Sequence, residues 1–495
     1  MGMVYNLRES DERIYPQGEL GRRTIGLTGD RGNYGIEPSI AKSWPAATVG
    51  PRATHRPGFY GRVVDGDNID PIDGLDVVTT LDLDVQDVAN RYLREQLEAQ
   101  NAIWGTTIVM EVRTGEILAL VNLGRTPGGG YAERENYAIG RNTEPGSTFK
   151  LASMLLLLDD ADMPLDQTYD TGNGRVVKVG GIRVQDSHAG FNDMDFRTAV
   201  AQSSNVYFAK AIWERYADNK ERYSDFMKKL HLDQTVGLEL SARKNRSFRI
   251  GRRCPTQQYA RTPLVRLSYQ LSRSSHHPLQ RHCQRRKMIS PILVRELRRD
   301  GDVVKHFKTQ TLVDKVCSER TLREVRKLLE SVGTEGTGAG FFRDTTLYTV
   351  AAKTGTAQYA DDKIGYRDGY YIGSMVAYFP AHNPRYTVLT TIHTKRQAGK
   401  SYYGGPLSGP VVKKVVTYLY NREHDWDLSP ENSGEKHYPR ESKAATSPRS
   451  AASPTNSRPA PRSKTAKAGE RYGSTPSRTS RSRRSHRTTK RCPTS

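Results

Sequence analysis

In Gly74–Gln100, GLDVVTTLDLDVQDVANRYLREQLEAQ, the apolar period changes part-way along. The first half alternates, which predicts a strand, and from Val85 onward the spacing is helical, with Leu93 and Leu97 on one stripe. TTIVMEVRTGEILALVN, residues 106–122, reads as a β-hairpin with Thr114-Gly115 near the turn. STFKLASMLLLLDD, residues 147–160, is apolar nearly all round, the signature of a buried helix. Two further runs, TLYTVAAKTGTAQ and GSMVAYFPAHNPRYTVLTTIH, are β-rich. Strands at both ends with helices between predict a mixed α/β (α+β) domain, a sheet covered by helices. Residues 1–70 are polar and punctuated by Gly and Pro, and read as short strands and turns. After about Glu431 the chain is rich in Ser, Thr, Pro and Arg and reads as disordered. There is no internal repeat.

Composition changes this picture in two places. The net charge of +22 suggests a nucleic-acid binder. Its location argues otherwise. Ser241–Lys287 holds 13 Lys/Arg and no acid, and Ser442–Ser495 holds 14 Lys/Arg and one acid, Glu470. Without them the remaining chain is slightly acidic, so a specific nucleic-acid partner is not expected. Cys254, Cys283, Cys317 and Cys492 are far apart, which suggests neither a disulfide framework nor a zinc site. No apolar run reaches the ~20 residues of a membrane helix. The N-terminus lacks a signal-peptide apolar core, so the chain as given is read as carrying no address and no anchor.

Three short motifs carry chemistry. In EPGSTFK, Ser147 and Lys150 stand at i and i+3 and share a helix face. A Ser near a helix N-terminus sits in positive potential, and a desolvated Lys beside it can lose its proton and act as base. That combination is a route to a serine nucleophile; alone it is also an ordinary helix start. In AQSSNVYFAKAIW, Ser203 and Asn205 frame a Ser-x-Asn at another helix start, where an N-cap is the plainer reading. In VAAKTGTAQ an apolar strand runs into Lys353-Thr354-Gly355-Thr356. Gly there admits close approach of a ligand or backbone, and Lys and Thr can hold a carboxylate.

In this order the three motifs resemble the penicilloyl-serine transferase set, and the chain resembles a class B penicillin-binding protein. EPGSTFK, VGTEGTGAG, AAKTGTAQ and VAYFPAHNPRYTV share that family's wording, from roughly Arg13 to Tyr420. RIYPQGELGRRTIG and GNYGIE resemble its non-catalytic pedestal and lean toward the septal branch. The resemblance implies a penicillin-binding transpeptidase / serine β-lactamase-like fold, with an antiparallel sheet covered by helices. It implies a partial β-rich pedestal over 1–70, a transpeptidase domain over 71–425 and a basic tail over 426–495. It further implies a D,D-transpeptidase with Ser147 as nucleophile, Lys150 as base and Ser203, Asn205 and Lys353 as the other catalytic groups. Thr354, Gly355 and Thr356 would bind substrate, and backbone N–H groups of Ser147 and Thr356 would hold the oxyanion. No metal or cofactor is implied. The implied partners are peptidoglycan stem peptides, β-lactams, a lipid-II glycosyltransferase and other division proteins, at an inner membrane with the catalytic domain periplasmic. Rival readings are a class D-like serine β-lactamase or β-lactam sensor, a basic binding protein, and an inactive, frameshifted gene product.

The last rival arises from SSHHPLQRHCQRRKM, Ser274–Met288, where the family carries an apolar helix. Arg281–Arg286 can be encoded CGC CAT TGC CAA CGA CGG. One base later this reads A-I-A-N-D-G, and the same shift extended back to Arg273 restores A-P-H-T-T-L-Y-N before it. Ser43–Val49, started one base earlier, likewise reads E-L-A-G-R-D-G. Paired frameshifts at roughly Pro38–Pro57 and Ser241–Lys287 therefore explain the His/Cys/Arg cluster better than a metal site does. The written text places Gln280, Arg281, His282, Gln284, Arg285 and Arg286 where Leu, Tyr, Ile and Ala would be buried. Each larger apolar side chain lost forfeits roughly 1.5–3 kcal/mol, in domains that hold only ~5–15 kcal/mol of stability. In a thermal melt the chain as given is expected to unfold at lower temperature than one with the restored reading. Equal cooperative melts would remove the physical support for the shift.

Overall fold

A computed structural model describes residues 13–28, 33–43, 74–141, 145–232, 238, 240, 286–344, 348–361, 365–423 and 425–426. The Arg-rich stretch 241–285, most of residues 38–57 and the basic tail lie outside the described residues. Two short helices come first, α1 (Arg22–Ile25) and α2 (Ile36–Ser43). They are followed by β1 (Asp76–Thr79), α3 (Leu83–Gln100), β2 (Trp104–Glu111), β3 (Ile117–Arg125), β4 (Tyr131–Ala132) and α4 (Tyr137–Gly140). A 3-10 turn, Gly146–Phe149, runs into α5 (Lys150–Leu155) and a π-helical turn, Leu156–Asp160. Short strands β5 (Tyr169–Asp170), β6 (Val177–Val179), β7 (Ile182–Val184) and β8 (Asp193–Met194) lead to α6 (Phe196–Ala201), α7 (Asn205–Tyr216) and α8 (Lys220–Lys229). Next come β9 (Met288–Ile289), β10 (Val294–Arg299), β11 (Asp302–His306) and β12 (Thr311–Val313), then α9 (Glu319–Thr334) and α10 (Ala339–Phe342). The last described elements are β13 (Ala351–Asp361), β14 (Gly365–Phe379), β15 (Tyr386–Lys395) and α11 (Gly404–Arg422).

The central sheet is antiparallel, in the order β13-β14-β15-β2-β3-β4. It is buried on both faces, which is why its strands read as apolar runs. Because strand side chains alternate, neighbouring residues enter different cores. Val109, Met375, Ala377 and Val388 pack with α3 and α11. Ile108, Met110, Val376 and Leu389 pack with α5, α6, α7 and α9. The chain is thus layered as helices, sheet, helices. In α3 the residues Val85, Ala89, Leu93 and Leu97 recur every fourth position and are fully buried. Asp82 caps that helix, accepting from the N–H groups of Asp84 and Val85 at 3.1 Å. The hairpin turns where expected: Gly115 has φ +79, and a Cβ there would lie 2.4 Å from the Ser290 carbonyl oxygen.

Of residues 1–70, read as short strands and turns, the structure describes 13–28 and 33–43, and these are helical where strands were expected. Their described part forms α1, α2 and one isolated antiparallel bridge, Leu27–Tyr34. Ile36 and Ile40 are both buried in the core, one helical turn apart, while Pro38, which a strand would place on the same face, is only half-buried. Polar tethers complete the attachment. Thr24 Oγ1 donates to the Leu120 carbonyl at 3.2 Å, and the Arg23 N–H donates to Glu133 Oε2 at 2.8 Å. Burial pushes the Glu133 carboxyl up to about 7. Among the described residues no helix is long and apolar enough to cross a membrane.

Leu93 packs α3 onto the sheet at Gly105, where a Cβ would approach its side chain to 3.0 Å. Leu93→Ala is expected to cost about 2–5 kcal/mol, read as a lower denaturation midpoint in urea. An unchanged midpoint would mean that α3 does not stabilise this domain.

Candidate active site

The three motifs, distant in sequence, meet at one cleft of about 570 Å³. Ser147 lies on the 3-10 turn, not on the α-helix expected. In a 3-10 helix residues three apart eclipse one another, so Ser147 Oγ stands directly over the buried Lys150, at 3.1 Å from its Nζ. The turn is pressed against β13 backbone to backbone. Gly146 has φ +55, and a Cβ there would lie 2.7 Å from the Thr356 carbonyl oxygen and 3.0 Å from the Thr356 nitrogen. A Cβ on Gly355 would lie 2.8 Å from the Pro145 carbonyl oxygen. Glycine on both sides is what allows the contact.

Ser203, Ser204 and Asn205 link α6 to α7 and do different jobs. Ser204 is the N-cap, its Oγ accepting from the Tyr207 N–H at 3.0 Å. The plain N-cap reading is therefore right for the middle residue, and the outer two face the lysines. Ser203 is left-handed, φ +57, a conformation that costs a non-glycine residue about 1–3 kcal/mol. In it, the Ser203 carbonyl accepts from Lys150 Nζ at 2.5 Å, while Ser203 Oγ accepts from Lys353 Nζ at 2.8 Å. Asn205 Nδ2 donates to the Gln185 carbonyl at 2.8 Å, which turns Oδ1 toward Lys150 Nζ, 2.7 Å away. Lys353 also donates to the Thr354 carbonyl at 3.1 Å. Thr354 Oγ1 pairs with Thr337 Oγ1 at 2.7 Å, and Thr356 Oγ1 accepts from the Gly404 N–H at 2.9 Å.

Both lysines are fully buried. Desolvation pushes Lys150 down to about 7, against the attraction of Asp186, which raises it. Desolvation, then the like charge of Lys150, holds Lys353 well below its ordinary range. Hydrogen-bond geometry agrees for Lys150. Its two shortest contacts, to the Ser203 carbonyl and Asn205 Oδ1, are to pure acceptors. A neutral amine has two N–H donors, which those acceptors use, and one lone pair, which is left for the Ser147 hydroxyl.

All the residues expected from sequence therefore converge: Ser147, Lys150, Ser203, Asn205 and Lys353, with Thr354, Gly355 and Thr356 along the cleft wall. Three neighbours were not anticipated. Asp186 lies behind the cleft in the loop after β7, with no spacing relation to any motif. His188, from the same loop, and Tyr403, just before α11, face each other across the cleft mouth with ring centroids 5.8 Å apart. Among the described residues, no cluster of three His, Cys, Asp or Glu side chains could hold a metal.

Known proteins carry the same arrangement of sequence. The penicillin-binding protein transpeptidase domain matches residues 105–272 and 275–417, the break falling inside the Arg-rich stretch. The chain is 30% identical over 442 residues to the probable peptidoglycan D,D-transpeptidase PenA of Neisseria meningitidis, covering 82% of this chain and 68% of that protein. It is 27% identical over 434 residues to peptidoglycan D,D-transpeptidase FtsI of Escherichia coli, covering 83% and 67%. In fold it is similar to penicillin-binding protein 3 of Mycobacterium tuberculosis, with a TM-score of 0.65, 22% identity and coverage of 83% and 90%. The transpeptidase domain of Burkholderia pseudomallei penicillin-binding protein 3 gives a TM-score of 0.54 at 23% identity, covering 70% of this chain and 96% of that one. With the serine, the two buried lysines and the Ser-x-Asn turn assembled at one cleft, the chain belongs to the penicillin-binding protein transpeptidase family, class B.

Proposed function

We propose that this protein is a peptidoglycan D,D-transpeptidase that cross-links stem peptides through an acyl-serine. The observation that carries the reading is the closeness of buried Lys150 Nζ to Ser147 Oγ, 3.1 Å, inside a hydrogen-bonded network. Lys150 Nζ takes the Ser147 proton as Oγ attacks the carbonyl of the penultimate D-Ala. Negative charge gathers on that oxygen between the backbone N–H groups of Ser147 and Thr356, where preorganised donors act strongly. Their closeness is supported by the contact of Gly146 with the Thr356 backbone. As the C–N bond breaks, the terminal D-Ala amine takes a proton from Ser203 Oγ, which regains one from the ammonium that the attack left on Lys150, 3.3 Å away, while Lys353 holds Ser203 Oγ by a hydrogen bond at 2.8 Å. An amine from a second stem peptide then attacks the acyl-enzyme, releases Ser147 and completes the cross-link. Thr354, Gly355 and Thr356 hold the substrate, Thr354 through the hydroxyl pair with Thr337. β-Lactams acylate the same Ser147. The substrate implies work at the cell wall, with stem peptides and division proteins as partners.

A fluorescent penicillin is expected to label the chain at one mole per mole, and Ser147→Ala to abolish labelling. Full labelling of that variant would overturn the assignment.

The acylation rate constant depends on neutral Lys150. Below its pKa the lone pair is lost to a proton, so the rate falls as pH falls. The acid limb is expected near pH 7, dropping about tenfold per unit below it. A rate flat from pH 8 to pH 5 would rule out Lys150 as the base.

A further inference from the structure

No carboxylate among the described residues lines the cleft. One stands just behind it. Asp186 is 8% exposed, in the loop that follows β7. Its Oδ1 accepts from the N–H groups of Asn205 and of Val206, the latter at 2.9 Å. Its Oδ2 accepts from Ser204 Oγ at 2.7 Å. Three donors converge on its two oxygens, and the N-terminus of α7 adds positive potential there. Asp186 is thus held by the very segment that presents Ser203 and Asn205 to Lys150.

We propose that Asp186 is the positioning residue of this site: by clamping residues 204–206 it holds left-handed Ser203 and Asn205 against Lys150, and its fixed charge sets how basic that amine is. The inference rests on the transpeptidase reading above. The clamp acts on backbone. Asn205 is tied to Asp186 through its N–H and to Lys150 through Oδ1, so it transmits one position to the other. The strained Ser203 is flanked by the capped turn of α7 and by the end of α6, where its N–H donates to the Val200 carbonyl at 3.2 Å. Without the clamp, the α7 side of that turn keeps only the Ser204 cap and the side-chain bonds of Asn205.

The charge acts through space. The titratable and charged groups around Lys150 are Asp186 from the β7 loop, Lys353 from β13, and Arg183 and His188 at the cleft mouth. Asp186 is the only anion of this set. A buried lysine without an anion can fall to a pKa of about 5–6, where the amine is neutral but a poor base. A general base works best with its pKa near the working pH. Asp186 raises Lys150 against desolvation, toward that value.

Charge and clamp separate experimentally. In Asp186→Asn the amide oxygen can still accept from the Asn205 and Val206 N–H groups, and the amide nitrogen can donate to Ser204 Oγ once that hydroxyl turns. The bonds stay and the charge goes. Asp186→Ala removes both. The measurement is the rate constant of penicillin acylation of the full chain against pH, with Ser147→Ala as control. Asp186→Asn is expected to move the acid limb to lower pH and to lower the plateau by about threefold to tenfold, as a weaker base should. Asp186→Ala is expected to lose about a hundredfold at every pH, the cost of a mispositioned base. A purely structural cap would lower rate and melting temperature without moving the limb. The inference is overturned if Asp186→Asn leaves the acid limb of the wild-type chain in place. Should Asp186→Ala fail to fold, the Asp186→Asn profile decides alone. If the wild-type chain is not labelled, or is labelled elsewhere than Ser147, the transpeptidase reading falls and this inference with it.

Discussion

Two lysine amines buried against one serine are the constraint from which the rest of this structure follows. Lys150 and Lys353 both reach Ser203, Lys150 at its carbonyl and hydroxyl and Lys353 at its hydroxyl. Burying even one ammonium is expensive unless it is paired. Two adjacent ones share too few anions to stay charged, so burial drives protons off. The site turns that cost into basicity where it is needed, beside the Ser147 hydroxyl.

Holding the amines in place takes three separate layers of the fold. α5, buried all round, fixes Lys150 from the helical core. β13, the edge strand of the central sheet, fixes Lys353 and runs its backbone along the nucleophile's turn. The α6–α7 turn fixes Ser203 in a left-handed conformation that the surrounding bonds must over-determine. Glycine at positions 146 and 355 lets the first two layers touch. Asp186 locks the third from behind.

Lys150 and Lys353 sit on α5 and β13, whose other faces are packed in the two cores, and Ser203 sits in the turn between α6 and α7. His188 and Tyr403 stand instead on loops that leave those elements. Shape at the mouth can therefore vary without disturbing the lysines.

What the sequence determined by itself was local. The spacing of Ser147 and Lys150, the β-rich apolar runs of β2, β14 and β15 and the stripe of α3 are readable because one element sets each. The three motifs were readable as chemistry through their order along the chain. Out-of-period text, such as the Arg-rich stretch, was recognisable because it broke the pattern around it. The N-terminal stretch was misread because Gly and Pro turns look alike whether they join strands or helices. There, burial of Ile36 and Ile40 with Pro38 between them only half-buried distinguishes helix from strand. The tertiary structure alone decided which groups share a site. Asp186, eighteen residues before Ser204, has no periodic relation to it. Its role exists only because a loop folds its carboxylate onto the N-terminus of α7. The depressed lysines were likewise beyond the sequence, since desolvation is a property of everything packed around a group and not of its neighbours in the chain.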